Sequence, residues 1–400
     1  MNVFRKIWCR LYQGIFKIVL PLMPYREPKI LDSVTDIKNV LQEQNISDVM
    51  LVTDSGVRGL GLTKELEDDL LKNGYNITVF DKVIPNPTIA NIEEGLVEYN
   101  AKGCNAIIAF GGGSVMDCAK IIGARVAKPK QSVQKMKGLL KIGKNLPLLI
   151  AVPTTAGTGS EVTLAAVITD EKTHHKYPIN DFNLIPKYAV LDYKTTIGLP
   201  PHLTSTTGLD ALTHAVEAYI GRSTTRYTRR MAEESIRLIH ENLLKAYTNG
   251  SDKDARANML RASYCAGIAF TRSYVGYVHA VAHSLGGAYG VPHGLANAIL
   301  LPYFLEDYGK TIHKKLSKLA KIIGLVDDSV TNEVGAKAFV DWIKMLNDKM
   351  SIPKTVKELK EDDIPALAKK ADKEGNPLYP VPVLKNAKEL EKMYYKVVEK

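Results

Sequence analysis

Residues 105–120 read NAIIAFGGGSVMDCAK, and this stretch decides which fold we expect. The apolar run NAIIAF (105–110) predicts a buried strand that stops at three glycines, and a helix is expected to follow Ser114. Glycines allow the backbone to approach a ligand closely, and the N–H groups that open a helix attract an anion such as a pyrophosphate. The spacing differs from the GxGxxG fingerprint, so the stretch alone is compatible with phosphate binding or with a tight turn only.

The segments on either side alternate between strand and helix signals. Short apolar runs at 48–54 (DVMLVTD), 77–83 (ITVFDKV) and 146–154 (LPLLIAVPT) predict strands, and LTKELEDDLLKNG (62–74) and IEEGLVEYNAKG (92–103) predict helices. Alternation of this kind is typical of a mostly parallel sheet covered by helices on both faces. We therefore expect an α/β N-terminal domain.

The pattern changes after the Gly-Leu-Pro-Pro turn at 198–201. From there the segments have helical periodicity, and strand signals disappear. Four hundred residues are also too many for one compact core. The sequence predicts an α/β domain over 26–198 and an all-helical domain over 199–400.

A second glycine-bearing turn, AVPTTAGTGSEVT (151–163), follows the strand predicted at 146–154. Its hydroxyl residues Thr154, Thr155 and Thr158 could contact phosphate or ribose. Both turns come at the carboxyl ends of strands, where open α/β sheets bind ligands, and together they predict a nucleotide site. Asp54, at the end of an earlier strand, could bind a ribose 2′-hydroxyl and favour NAD over NADP, or could cap a turn.

Histidines are concentrated in one segment of the predicted helical domain. Three of the nine, His279, His283 and His293, lie in GYVHAVAHSLGGAYGVPHGLANA (276–298). In GLDALTHAVEAY (208–219), Asp210 and His214 are four apart and share one helix face. Carboxylate and imidazole ligands suit zinc, iron(II), cobalt, nickel or manganese. The spacing favours a metal site over a polar cluster in the core and does not choose the metal.

These residues lie in motifs that resemble those of the iron-containing (group III) alcohol dehydrogenases. The shared motifs are PNPT, GGGSVMDCAK, PTTAGTGSEVT, GLDALTHAVEAY and VHAVAHSLGGAYGVPHGLANAILLP, and the resemblance covers roughly 28–400. It implies a dinucleotide-binding domain with a Rossmann-like parallel sheet, followed by an all-α domain, in a dehydroquinate synthase-like architecture. It also implies a metal-dependent, NAD(P)-linked enzyme that interconverts small primary alcohols and aldehydes by hydride transfer, with the metal polarising the substrate oxygen.

The resemblance also implies roles for individual residues. Fe²⁺ (or Zn²⁺ or another divalent metal) would be held by four ligands: Asp210, His214, His279 and His293. His283 would assist catalysis beside the metal. NAD, rather than NADP, would be bound by residues of the two turns together with Asp54: Gly111, Gly112, Gly113, Ser114, Asp117, Thr154, Thr155 and Thr158. The resemblance further implies a homodimer.

Two related activities are alternatives to this interpretation. One is a metal- and NAD-dependent lyase or cyclase resembling dehydroquinate synthase, and the other is a polyol oxidoreductase resembling glycerol dehydrogenase. A phosphorylated sugar acid would need lysines or arginines near the metal, and the segments 208–220 and 276–298 contain neither. The alcohol dehydrogenase interpretation is therefore favoured.

Composition limits the location and partners of the protein. The net charge of +10 includes a lysine-rich run at 128–144 that interleaves no aromatic residues, so we expect no nucleic-acid partner. Four scattered cysteines fit a reducing cytoplasm. Residues 1–25 form a basic amphipathic extension that is too short and too charged to span a bilayer. It could lie on an anionic membrane surface or dock on the protein, and docking is favoured.

Overall fold

The computed structural model describes residues 1–172 and 175–399. The contacts among these residues divide the chain into two compact units. An α/β unit comprises Pro24–Leu199, and a helical unit comprises Met1–Met23 together with the chain from Pro200 onward. The N-terminal segment is therefore grouped with the helical unit.

The α/β unit contains nine strands and six α-helices among its described residues. Its strands are β1 (Lys29–Leu31), β2 (Asp48–Val52), β3 (Asn76–Phe80), β4 (Ala106–Gly111), β5 (Gly138–Leu139), β6 (Leu148–Pro153), β7 (Ala165–Asp170), β8 (His175–Asn180) and β9 (Tyr188–Val190). Its helices are α2 (Ile37–Glu43), α3 (Ser55–Gly59), α4 (Lys64–Lys72), α5 (Ile89–Ala101), α6 (Gly113–Ala127) and α7 (Val133–Met136).

Six of these strands form one parallel sheet in the order β1-β9-β6-β4-β2-β3. Strands β4 and β6 are buried along their whole length, as expected where helices cover both faces. In β2, Val49 and Leu51 pack in the core on one face, while Met50 and Val52 pack in the core on the other. The predicted parallel sheet is confirmed. A second sheet, β5-β8-β7, was not predicted.

The register of the large sheet brings the two glycine-bearing turns together. Strands β4 and β6 are neighbours, and Gly111 at the end of β4 pairs with Pro153 at the end of β6. The Thr154 amide also donates to the Gly111 carbonyl at 3.1 Å. The turns that follow the two strands therefore emerge side by side, as expected for the carboxyl ends of adjacent parallel strands.

The helical unit has no strand among its described residues. Its helices are α1 (Val3–Val19), α8 (Pro201–Ile220), α9 (Arg226–Thr248), α10 (Lys253–Ser273), α11 (Tyr277–Tyr289), α12 (His293–Tyr308), α13 (Lys310–Ile322), α14 (Asn332–Lys349), α15 (Ile364–Gly375) and α16 (Ala387–Val397). Helix α8 is buried on nearly all sides from Gly208 to its end and packs against α9, α10 and α12, so it is the central helix of this unit.

Helix α1 docks on the helical unit, the interpretation favoured from the sequence. The Arg10 guanidinium donates to the carbonyls of Val381 and Pro382, both at 2.8 Å, and the Gln13 amide donates to the Tyr379 carbonyl at 2.7 Å. No helix among the described residues is long and apolar enough to cross a membrane.

Candidate functional site

Three helices of the helical unit bring a carboxylate and three imidazoles together. Asp210 and His214 project from α8, one turn apart, while His279 comes from α11 and His293 is the first residue of α12. One ligand atom from each of these four residues lies within 4.8 Å of the other three. His293 is half-buried, and the other three are buried. This arrangement fits a divalent cation.

A buried glutamate orients His279. The Nδ1 atom of His279 lies 2.6 Å from Oε2 of Glu217, which also accepts the Gly276 amide at 2.8 Å. The other carboxylate oxygen accepts the Val278 amide at 2.9 Å. A Cβ at residue 276 would lie 2.5 Å from Oε1 of Glu217, so this close approach needs glycine. With the proton on Nδ1, the lone pair of His279 is on Nε2, the tautomer that binds a metal.

The opposite nitrogen of His279 supports the metal interpretation. Nε2 is buried and has no hydrogen-bond partner among the described residues. Burial, together with the neighbouring His214, holds the pKa of His279 well below its usual value, so the ring is neutral. A neutral imidazole with an unpaired buried nitrogen, close to a carboxylate, meets the requirements of a metal ligand. Burial also raises the pKa of Glu217 to about 7, although hydrogen bonds from Gly276 and Val278 oppose this effect.

An asparagine links the two other helices at the site. The Asn297 side-chain amide lies 2.7 Å from Oδ1 of Asp210 and 3.1 Å from Nε2 of His293. Helices α8 and α12 approach closely here, because a Cβ at Gly294 would lie 2.4 Å from the Thr206 carbonyl oxygen. This close approach places His293 beside Asp210.

His283 lies next to the cluster rather than within it. Its ring stacks on His293 with centroids 5.0 Å apart, and its Nδ1 lies 2.6 Å from Oε1 of Glu374. The same oxygen accepts the Tyr379 hydroxyl at 2.7 Å. Burial opposes ionisation of Glu374, but the charge of His283 and these hydrogen bonds outweigh it and lower the pKa of the carboxyl group. His283 is exposed and can exchange protons with solvent.

The predicted cofactor residues of the two turns lie together in the α/β unit. Gly112 precedes α6, and no side chain caps this helix among the described residues. A Cβ at Gly113 would lie 3.1 Å from Cγ2 of Thr158, and one at Gly112 would lie 3.6 Å from Oγ1 of Thr155. The uncapped amides of a helix N-terminus, bordered by glycines and threonines, form a cradle that suits a pyrophosphate.

Asp117 and Asp54 are already engaged in local hydrogen bonds. Asp117 accepts the Ser160 hydroxyl at 3.1 Å and the Val167 amide at 2.9 Å, which ties the second turn to α6. Burial raises the pKa of Asp117, and the charge of nearby Lys120 opposes the shift. Asp54 caps α3 by accepting the Val57 amide at 2.9 Å. The capping alternative therefore holds for Asp54, and its predicted contact with ribose stays a prediction.

Three supporting residues were missed in the sequence. Glu217 had a signal, because it follows Asp210 by seven residues and His214 by three and so lies on the same face of α8. Asn297 also had one, since it lies one helical turn after His293. Glu374 had none, because it is 91 residues from His283 and only the tertiary fold brings them together.

Comparison with known proteins identifies the family of this chain. A family model described as iron-containing alcohol dehydrogenase matches residues 31–193. A second family model, for the C-terminal part of the Fe-containing alcohol dehydrogenase family, matches residues 204–398. Alcohol dehydrogenase 4 of Saccharomyces cerevisiae (strain YJM789) is 38% identical over 355 residues, which cover 88% of this chain and 90% of the yeast protein. An NAD-dependent methanol dehydrogenase of Bacillus methanolicus is 33% identical, with 85% of this chain and 89% of that protein covered.

A solved structure extends the likeness to three dimensions. The crystal structure of a 1,3-propanediol oxidoreductase superposes with a TM-score of 0.89 at 35% identity, covering 93% of this chain and 98% of that one. The predicted fold, an α/β unit with a Rossmann-like parallel sheet and an all-helical unit in a dehydroquinate synthase-like architecture, is thereby confirmed.

Fold and site together define an oxidoreductase. The chain belongs to the iron-containing alcohol dehydrogenase family, and its reaction is the interconversion of alcohols and aldehydes. The lyase or cyclase alternative is not favoured.

Proposed function

We propose that this alcohol dehydrogenase depends on a divalent cation, Fe²⁺ in the first place, and on NAD. One observation carries the metal part of the proposal: four ligand atoms lie within 4.8 Å of one another, and the buried Nε2 of His279 among them has no hydrogen-bond partner in the described part of the chain. The cation would be held by Asp210, His214, His279 and His293. When bound, it supplies a Lewis acid that polarises the substrate oxygen.

The protein's own contribution at this site is to orient ligands and move a proton. Glu217 keeps the proton of His279 on Nδ1, and Asn297 fixes Asp210 and His293 relative to each other. We assign His283 the relay of the hydroxyl proton to solvent. Because Nδ1 of His283 contacts Glu374, the relayed proton is assigned to Nε2. Glu374 would be a positioning residue for this step.

The cofactor part of the proposal rests on the cradle at the start of α6. Gly111, Gly112, Gly113 and Ser114 would surround the pyrophosphate, and Thr154, Thr155 and Thr158 would contact it or the ribose from the second turn. Asp117 would act by holding that turn. The nicotinamide supplies the hydride chemistry. The name of the Bacillus relative, an NAD-dependent enzyme, supports NAD over NADP, as does the position of Asp54 after β2.

Small primary alcohols and their aldehydes are the proposed substrates. The names of similar proteins, a methanol dehydrogenase and a 1,3-propanediol oxidoreductase, support a short substrate. We also propose a homodimer located in the cytoplasm, supported by the family resemblance and by the four scattered cysteines.

The proposal is tested by elemental analysis of the full-length protein purified without oxygen, paired with NADH oxidation across a panel of aldehydes. We expect about one iron per chain, loss of turnover with a strong chelator and recovery on addition of Fe²⁺. If the elemental analysis finds zinc instead of iron, only the identity of the metal in the proposal is corrected. Metal-free protein that stays equally active with chelator present would refute the proposal.

A further inference from the structure

Helix α1 exposes the apolar side of an amphipathic helix. The exposed apolar side chains, here called the apolar stripe, recur at helical spacing from the start of the helix to three residues beyond its end. They are Val3, Phe4, Ile7, Trp8, Leu11, Ile15, Ile18, Val19 and Leu22. Phe4 is 86% exposed and Leu22 is 81% exposed. A continuous apolar surface of this kind usually marks a binding surface, whereas single exposed apolar residues do not.

The orientation of α1 is the reverse of that found in an ordinary surface helix. In a globular protein the apolar side of a helix faces the core and the polar side faces water. Here Gln13 is buried, whereas Leu11 and Ile15 are exposed. Residues two apart in sequence lie about 200° apart around a helix, so the side chains of Leu11 and Ile15 point away from the docked side, where Gln13 lies.

Polar contacts hold the helix in this orientation. Arg5 makes a bidentate ion pair with Asp372, at 2.8 and 2.6 Å. Arg10 and Gln13 donate to backbone carbonyls within 379–382, and Cys9, one turn before Gln13 on the same side of the helix, is buried. Bidentate and charge-assisted bonds are strong and directional. The protein therefore occupies the polar side of the helix and keeps the apolar stripe facing outward.

We propose that the apolar stripe binds the surface of an anionic lipid bilayer, with α1 lying in the plane of the interface. Such helices place Trp, Phe and Leu among the acyl chains and use Lys and Arg to attract anionic lipids. Residues 1–26 carry five cationic side chains and no carboxylate side chain. Two of them, Lys6 and Lys17, are exposed on α1 itself. Lipid would face the apolar side, and the protein already holds the polar side.

The same charge distribution disfavours a second copy of the chain as the occupant. Helices that pair along an apolar seam normally carry both signs of charge beside it, so that the partners attract. Two copies of α1 would bring only like charges together, because the segment has no acidic residue before Glu27. An anionic surface is the complementary partner.

The test is sedimentation of the full-length enzyme with vesicles of phosphatidylcholine containing about 30% phosphatidylglycerol, with pure phosphatidylcholine vesicles alongside. We expect binding to the anionic vesicles and at least about tenfold weaker binding to the neutral ones. The fluorescence of Trp8 gives a second signal, because the other tryptophan, Trp342, is buried. A blue shift on binding that disappears in Trp8→Phe would place this residue in the lipid.

A triple variant and a matched control identify the surface. Trp8→Gln/Leu11→Gln/Ile15→Gln is expected to lower partitioning at least about tenfold while turnover persists. The control changes three apolar residues of the α/β unit that are at least as exposed, Leu60→Gln/Leu71→Gln/Val97→Gln, and should bind like the wild type. If the triple variant fails to fold, the single change Phe4→Gln at a highly exposed position must still weaken binding.

Three results would overturn the proposal. In the first, the wild-type enzyme does not bind anionic vesicles. In the second, the control variant loses as much binding as the triple variant. In the third, light scattering without lipid gives a smaller particle for the triple variant than for the wild type, and neither protein binds vesicles. This result would mean that a second copy of the chain covers the apolar stripe. None of these results depends on the metal or the cofactor, so they leave the proposed function untouched.

Discussion

Glu217 and His279 form a buried pair in which Oε2 of the carboxylate lies 2.6 Å from Nδ1 of the imidazole. Both side chains are 2% exposed, on two different helices. The pair fixes which nitrogen of His279 faces Asp210 and His214, and it does so from a residue that is not itself a proposed ligand. Carboxylates in this position commonly tune metal affinity.

We expect Glu217→Gln to weaken Fe²⁺ binding by about 10- to 100-fold. The amide oxygen can still accept from His279, but the amide nitrogen then faces the Val278 backbone N–H, which donates to the carboxylate in the wild type. Two donors then face each other. Competition with a graded chelator measures the affinity. Glu234→Gln, on the exposed side of α9, is the control and should bind the metal normally. Unaltered affinity in Glu217→Gln would show that the pair does not support the metal site.

His283→Ala is expected to lower kcat by about 100-fold while the iron content stays near that of the wild type. The imidazole contacts Glu374 and stacks on His293, but its proposed role is to move a proton and not to bind the metal. We therefore also expect a changed pH profile of kcat. His313→Ala, on α13, removes a histidine outside the cluster and should behave like the wild type. Full turnover with an unchanged pH profile in His283→Ala would remove the residue from the mechanism.

The sequence predicted most of the large sheet because buried parallel strands are continuous apolar runs. Strands β4 and β6 show this pattern clearly. The sheet β5-β8-β7 was not predicted because β5 has only two residues and β8 contains Pro178 and polar residues that weaken a strand signal. Its antiparallel pair, β7 and β8, is defined by backbone pairing between the two strands rather than by local periodicity.

The candidate site was predictable wherever its residues share one helix. Asp210 and His214 are one turn apart on α8, and their spacing is visible in the sequence. That the pair meets His279 and His293 came from the family resemblance, because no local rule specifies how α8, α11 and α12 pack. Glu374 and the outward orientation of α1 depend entirely on tertiary contacts.

Asp54→Ser is expected to lower the preference for NADH over NADPH, measured as the ratio of kcat/KM values, by at least about tenfold, or roughly 1.4 kcal/mol. The carboxylate would repel the 2′-phosphate of NADPH, and serine removes that charge. Serine can still cap α3 by accepting the Val57 amide, so the helix should keep its start. The control is Asp48→Ser, which removes an aspartate from the opposite end of the same strand. An unchanged ratio would leave Asp54 with its capping role alone.

Glu161→Gln is expected to remove a pH dependence of stability between pH 5.5 and 7.5. Glu161 is 1% exposed, its Oε1 has no hydrogen-bond partner among the described residues, and burial raises its pKa from 4.5 to about 7 against the charge of Lys120. Between the unfolded pKa of 4.5 and the folded pKa of about 7, the folded state binds more protons than the unfolded state. The stability of the wild type therefore falls as pH rises from 5.5 to 7.5, by about 2 kcal/mol. Glutamine cannot ionise, so the urea midpoint of Glu161→Gln should fall less than that of the wild type over this pH range. The control, Glu358→Gln at an exposed position, should show the same decline as the wild type. Parallel declines in the wild type and in Glu161→Gln would mean that Glu161 is ionised throughout, paired with Lys120.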